Sequence, residues 1–194
     1  AADGAKVLVN TQGAIDENQS GLTAGQTFFV DKNGDLQLTT NVSASLATAV
    51  VFEAADAKTP SITFDSSNNR IVIAFRDAGN SNYGTAIVGT VASDGSISFG
   101  TAVVFESANT ENSAITFDSS NNKVVITYVD NGNSGYGTAI VGTVDSSDNS
   151  ISFGSATTYQ NSSSAATDAI VFDSSNNKVV VASRDIGDSG KGKA

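Results

Sequence analysis

The 194 residues carry ten Lys and Arg against twenty Asp and Glu, and a net charge of −10 repels phosphate backbones and anionic lipid, which argues against nucleic acid and membrane surfaces as partners. No run approaches the ~20 apolar residues of a membrane-spanning helix, and the N-terminus has no basic-then-apolar secretory pattern. His, Cys, Met and Trp are absent, so Ser-His-Asp and Cys-His catalysis, zinc sites of the usual ligand types and disulfides are all removed together.

A chain of this length can bury roughly 70% of its unfolded surface, enough for one sizeable domain or two small ones. It opens Ala1-Ala2-Asp3 without a methionine, which reads as a processed product or, with the shortened last repeat below, an excerpt. In chain order, Gln26-Thr27-Phe28-Phe29-Val30 and Leu36-Gln37-Leu38 flank Asp31-Lys32-Asn33-Gly34-Asp35; the Asn-Gly pair predicts a hairpin over 26–38. These residues belong to an N-terminal β segment, 1–46. Thr48-Ala49-Val50-Val51-Phe52-Glu53 then reads as a strand, because the same words return as Thr101-Ala102-Val103-Val104-Phe105-Glu106.

From there a repeat takes over. Ile62-Thr63-Phe64-Asp65-Ser66-Ser67-Asn68-Asn69-Arg70-Ile71-Val72-Ile73 recurs from Ile115 and again from Ile170, with a spacing of 53 residues from Asp65 to Asp118 and 55 from Asp118 to Asp173. Within one copy, Ser61–Phe64 and Arg70–Phe75 flank a polar run whose Asp and Asn favour a tight turn. Gly84–Val91 is a third strand, and a turn at Ala92-Ser93-Asp94-Gly95 leads into Ser96–Phe99, continuing to Val103-Val104-Phe105. Four antiparallel strands per copy is a propeller-blade pattern, in which no unit buries its apolar face alone. The expected fold is all-β: a small hairpin segment followed by an array over 47–194, with units near 61–113, 114–168 and a partial 169–194. The strands opening at Ile71, Val124 and Val179 are apolar on both faces and are expected to be the most buried.

After the second strand of each copy comes an oxygen-rich loop. Asp77 and Asn80, Asp130 and Asn133, and Asp185 and Asp188 place carboxylate and amide oxygens at close spacing beside a glycine, the ligand type that calcium prefers. The alternative reading is an Asx turn in which the carboxylate serves its own backbone. Asn82, Tyr83 and Tyr136 close two of these loops and could stack on a glycan ring, while Lys191 takes that place in the third. The paired carboxylates a glycosidase would need fall almost entirely in recurring turns, so the chain reads as no enzyme.

The phrases from Tyr83 to Val91 and from Ser96 to Phe105, with second copies from Tyr136 and Ser150, resemble repeats in tail-fibre or appendage proteins of marine bacteriophages over 48–194. Gly13 to Val30 resembles a segment that accompanies such repeats, usually after them instead of before. The resemblance implies a virion-surface or extracellular appendage, oligomeric with its own copies or other virion proteins, adhesive toward a host glycan, and without catalytic residues. The competing reading is a free-standing glycan- or calcium-binding propeller lectin. Because the third copy ends at Ala194, its open edge is expected to be covered, either by Leu36–Leu38 and Val50–Phe52 clasped onto it or by the same segment of a neighbouring copy.

Overall fold

In the computed structural model the described residues are 10–11, 14–15, 28–30, 36–38, 48–163 and 169–194. The chain divides into two units, Ala1–Leu46 and Ala47–Ala194. In the first, β1 (Asn10–Thr11) pairs antiparallel with β2 (Ala14–Ile15), and β3 (Phe28–Val30) with β4 (Leu36–Leu38) in the register Phe28↔Leu38, Val30↔Leu36. The hairpin read from Asn33-Gly34 is therefore formed, its loop lying outside the described residues.

The second unit is antiparallel β throughout, and no α-helix occurs among its described residues. Its strands are β5 (Ala57–Asp65), β6 (Arg70–Asp77), β7 (Tyr83–Val91), β8 (Ile97–Phe99), β9 (Val103–Asp118), β10 (Lys123–Asp130), β11 (Tyr136–Asp145), β12 (Ser150–Phe153), β13 (Thr157–Ser163), β14 (Ala169–Asp173), β15 (Lys178–Asp185) and β16 (Lys191–Lys193). Neighbours run β12-β11-β10-β9-β7-β6-β5 in one sheet, with β8 on β7 and β13 on β11, while β14-β15-β16 form a second. Among these residues the strands close into neither a barrel nor a ring.

The repeat is a meander, and its turns explain the recurring words. In all three copies the Asp Oδ1 accepts the backbone N–H groups two and three residues on, and the first Asn donates its Nδ2 to Oδ2: Asp65 with Ser67 and Asn68, Asp118 with Ser120 and Asn121, Asp173 with Ser175 and Asn176. The last Asn of each tract sits in the left-handed region, at φ 54° for Asn69, 53° for Asn122 and 52° for Asn177, where Asn is among the few side-chain-bearing residues that settle easily. Each residue type in Asp-x-Ser-Asn-Asn thus has a geometric reason to recur. A second shared device is a bulge in the first strand. Thr59 and Pro60 oppose the stretch between Ala74 and Arg76, and Asn112 and Ser113 that between Thr127 and Val129. Each bulge opens opposite a fully buried aromatic side chain, Phe75 or Tyr128.

The copies are joined more tightly than the expected boundary at 113/114 implies. β9 runs unbroken for 16 residues: its first part pairs with β7 and its second with β10, so the fourth strand of one copy becomes the first strand of the next. The core follows, with Val72, Ala74, Ala86 and Val88 of the first copy packed in one cluster with Ile115, Val124, Ile126 and Tyr128 of the second.

Three expectations are corrected. The strand opening at Val179 is not deeply buried: β15 alternates exposed and half-buried positions, because β16 beside it is short and fully exposed. Residues 48–53 are not in a strand, and Val51 stands 76% exposed, no strand pairing with them among the described residues of their own unit. The third copy, expected to be partial, does reach a third strand, β16, which pairs with β15.

Candidate functional site

The three oxygen-rich loops occupy equivalent places, bridging the second and third strands with the Cα pairs Asp77↔Tyr83, Asp130↔Tyr136 and Asp185↔Lys191. Their leading carboxylates are buried, 8%, 8% and 4% exposed, and each turns back on its own loop. Asp77 Oδ1 accepts the Asn80 N–H at 3.0 Å; Asp130 Oδ1 accepts those of Gly132 at 2.9 Å and Asn133 at 3.1 Å; Asp185 Oδ1 accepts that of Asp188 at 3.2 Å. This is the Asx-turn geometry. Asn80 and Asn133 have exposed side chains, and the Asn133 Nδ2 donates to Thr158 Oγ1 at 3.3 Å. Among the described residues no three acidic side chains converge as a metal-ligand group.

The third loop is built differently. Lys193 Nζ lies 2.5 Å from Asp185 Oδ2 and 3.5 Å from Asp188 Oδ2, and Lys191 Nζ lies 2.8 Å from Asp188 Oδ1. Two ammonium groups stand where a divalent cation would need free carboxylates. Lys193, with the Ser162 hydroxyl second, draws the Asp185 carboxyl down to about 2. Tyr83 and Tyr136 are half-buried at the starts of β7 and β11, and Asn82, at φ 63°, accepts the Thr110 N–H through its carbonyl at 3.0 Å.

The junctions between copies carry a second, more regular constellation, one that spacing alone did not single out. Phe105, on the fourth strand of the first copy, stacks on Tyr128 at 5.2 Å and on Phe153 at 5.7 Å. It also lies over Gly84, where an added Cβ would come within 2.4 Å of the ring. Phe52 repeats the first half of this arrangement, meeting Phe75 edge-to-face at 5.2 Å and Phe99 at a tilt at 6.1 Å. Tyr159 covers Gly137 as Phe105 covers Gly84. The polar neighbour of each ring changes with its partner. Tyr128 donates its phenol O–H to Glu106 Oε2 at 3.1 Å, and Ser183 donates its hydroxyl to Gln160 Oε1 at 2.7 Å. Burial, with the Glu106 charge second, holds the Tyr128 phenol well above its usual range, so it stays a donor. Where Ser183 replaces an aromatic ring, a cavity of about 280 Å³ opens, lined by Tyr159, Gln160, Ser183, Asp185 and Lys193 among others.

Polar contacts tie the opposite end of the junction. Arg70 donates Nε to Asn149 Oδ1 at 2.6 Å and Nη2 to the Ser146 carbonyl at 2.7 Å, and Ser67 Oγ donates to Asn122 Oδ1 at 2.6 Å. The turn tracts of the first two copies therefore touch. The offset of 53 residues that aligns Phe52 with Phe105 was visible in the sequence; that the aligned rings knit one copy to the next was not.

Comparison of the chain with protein families, with curated proteins and with solved structures finds no match.

Proposed function

We propose that this chain is a structural and adhesive module of an extended surface appendage such as a phage tail fibre, built of propeller-blade-like units whose exposed loops meet a host surface or a neighbouring subunit. The observation that carries the reading is the repeated junction: Phe52 meets Phe75 and Phe99 as Phe105 meets Tyr128 and Phe153. An aromatic junction that occurs twice at an offset of 53 residues, the second time with β9 running unbroken across it, adds units in one direction, which is the geometry of solenoids and fibres. The loops between the second and third strands then present equivalent positions along the array, the first two with exposed Asn80 and Asn133 and the third with Lys191. The tail-fibre resemblance of residues 48–194 and the acidic charge agree with an exposed, soluble appendage.

Negative-stain electron microscopy of the purified chain, with its mass by light scattering, tests the reading. Filaments or regular multimers support it. A monomer whose melting temperature rises with added sugar, and which stays monomeric at every concentration, favours the free-standing lectin instead.

A further inference from the structure

The turn after the third strand differs between the first two copies, and the difference is taken up by a contact between them. The pairs Val91↔Ile97 and Val144↔Ile151 close the two turns, so the second is one residue longer. Gly95 holds the left-handed place in the first, at φ 85°, and Asn149 holds it in the second, at φ 58°. Glycine has no side chain to offer there. Asn149 uses its own to reach the first copy: its Oδ1 accepts from Arg70 Nε at 2.6 Å and from Thr90 Oγ1 at 3.1 Å. Its main chain lies against Gly100, where an added Cβ would run into the Asn149 carbonyl.

Arg70 is equally particular. Its Nη1 donates to the Asn68 and Asn69 carbonyls at 3.1 and 3.0 Å, bracing its own turn, while Nε and Nη2 cross to Asn149 and, at 2.7 Å, to the Ser146 carbonyl. Four acceptors in two copies are thus served by the three nitrogens of one planar group, a spread that the single ammonium of a lysine cannot cover. Lys123 and Lys178 stand at that place in the later copies, and Lys123 Nζ donates within its own copy, to Thr143 Oγ1.

We propose that Arg70 and Asn149 form an order lock, a matched pair that admits as the second unit one whose turn is longer by a residue and carries Asn in the left-handed position. A unit with the turn Ala92-Ser93-Asp94-Gly95 has neither the reach nor the acceptor. A unit with Lys in place of Arg70 has too few donors to receive it. The copies are therefore not interchangeable even where their strands are alike. The lock ties the end of the junction opposite Phe105, and it concerns the order of the units whatever the array binds.

A double-substitution cycle in the full chain tests it. Arg70→Lys and Asn149→Gly install residues that other copies hold at those places, and glycine accepts the left-handed conformation without strain. Each alone should lower the melting temperature by about 2–4 °C. Together they should fall no further than the worse of the two, because both break one contact. Losses that sum, or a single variant that melts with the wild type, overturn the lock. Hydrogen exchange reads what a purely local role of the turn would not move. In Asn149→Gly the Gly100 amide, bonded to the Val88 carbonyl at 2.9 Å, and the amides of residues 67–70 should exchange severalfold faster than in the wild type. Quickening confined to residues 145–150 overturns the proposal.

Discussion

Truncating Phe105 to alanine measures how much of the fold resides in the junction between copies. The ring is 7% exposed, stacks on Tyr128 and Phe153, and roofs Gly84. Burial of a Phe side chain that cannot be refilled costs about 3–5 kcal/mol on truncation, aromatic contacts included. Against a stability of roughly 5–15 kcal/mol for a domain, that is about a fifth of the total or more. Phe52→Ala is the matched control, since its ring makes equivalent contacts but is only half-buried. In dilute monomer it should cost about half as much, scaling with the area removed from water. Urea unfolding followed by circular dichroism, with the slope of the transition compared between variants, reads both numbers. Equal losses in the two variants, or a Phe105→Ala loss below about 1 kcal/mol, would refute the view that Phe105 is the pivot between the first and second copies.

Other outcomes follow from the same geometry. Val124, wholly buried in β10, should not tolerate Val124→Asp, which strands a charge in a packed sheet at a cost of several kcal/mol, while Ser120→Ala removes two exposed hydrogen bonds, to Asp118 and from Asn121, and should shift the melting temperature little. Tyr128→Phe reproduces the ring of Phe75 but loses the bond to Glu106, and a fall of about 1 kcal/mol in urea stability is expected. Thr59 holds φ 47° at a bulge where the second copy has Asn112 at 52°; Thr59→Asn should raise stability by up to about 1 kcal/mol, because a β-branched residue is strained there. The Asp185 carboxyl, drawn down to about 2 by Lys193, contributes stability that is present above its ordinary value near 3.8 and lost as pH falls through 2; melts between pH 5 and 2 should show this loss blunted in Lys193→Met. Adding millimolar calcium should leave the midpoint unchanged if the loop carboxylates serve only their backbones, and a rise would restore Asp77 and Asp130 as ligands.

Much of the local structure was legible because it depends on short-range chemistry. The Asp-Ser-Ser-Asn-Asn tracts announce their turns, since the carboxylate that accepts two N–H groups and the Asn in the left-handed region lie within five residues of each other. The Asn-Gly hairpin of the first unit was legible for the same reason. What the one-dimensional pattern missed is what happens between elements of different copies. Val179-Val180-Val181 is as apolar as Val124-Val125-Ile126, yet β15 is half-exposed while β10 is buried. The composition of a strand records its capacity for burial, and its neighbours decide whether that capacity is used. The loop carboxylates are ambiguous in the sequence. Clustered oxygens look alike whether they await a cation or a backbone N–H, and the structure adds that their Oδ1 atoms accept from Asn80, Gly132, Asn133 and Asp188.

The repeat's departures from itself are more informative about function than its regularities. At equivalent positions of the second strands the side chain is Phe75, then Tyr128, then Ser183, and the residue after each junction ring is Glu53, Glu106 and Gln160, unchanged at the first step and an amide at the second. With Phe75 the facing carboxylate turns to the Ala55 N–H; with Tyr128 it accepts a phenol; with Ser183 an amide accepts a hydroxyl. Such paired change means that each junction is tuned to its own two faces, so a unit is not freely exchangeable with its neighbour. The third junction is the smallest and most polar, with a cavity where the others hold a ring, and next to it lies the lysine-bearing β16 edge. A chain that only needed to stack identical units would have no use for that gradient. The series runs from a ring-on-ring contact at Phe52 and Phe75 to a hydroxyl-amide contact at Ser183 and Gln160, so the array has a chemical direction as well as a geometric one.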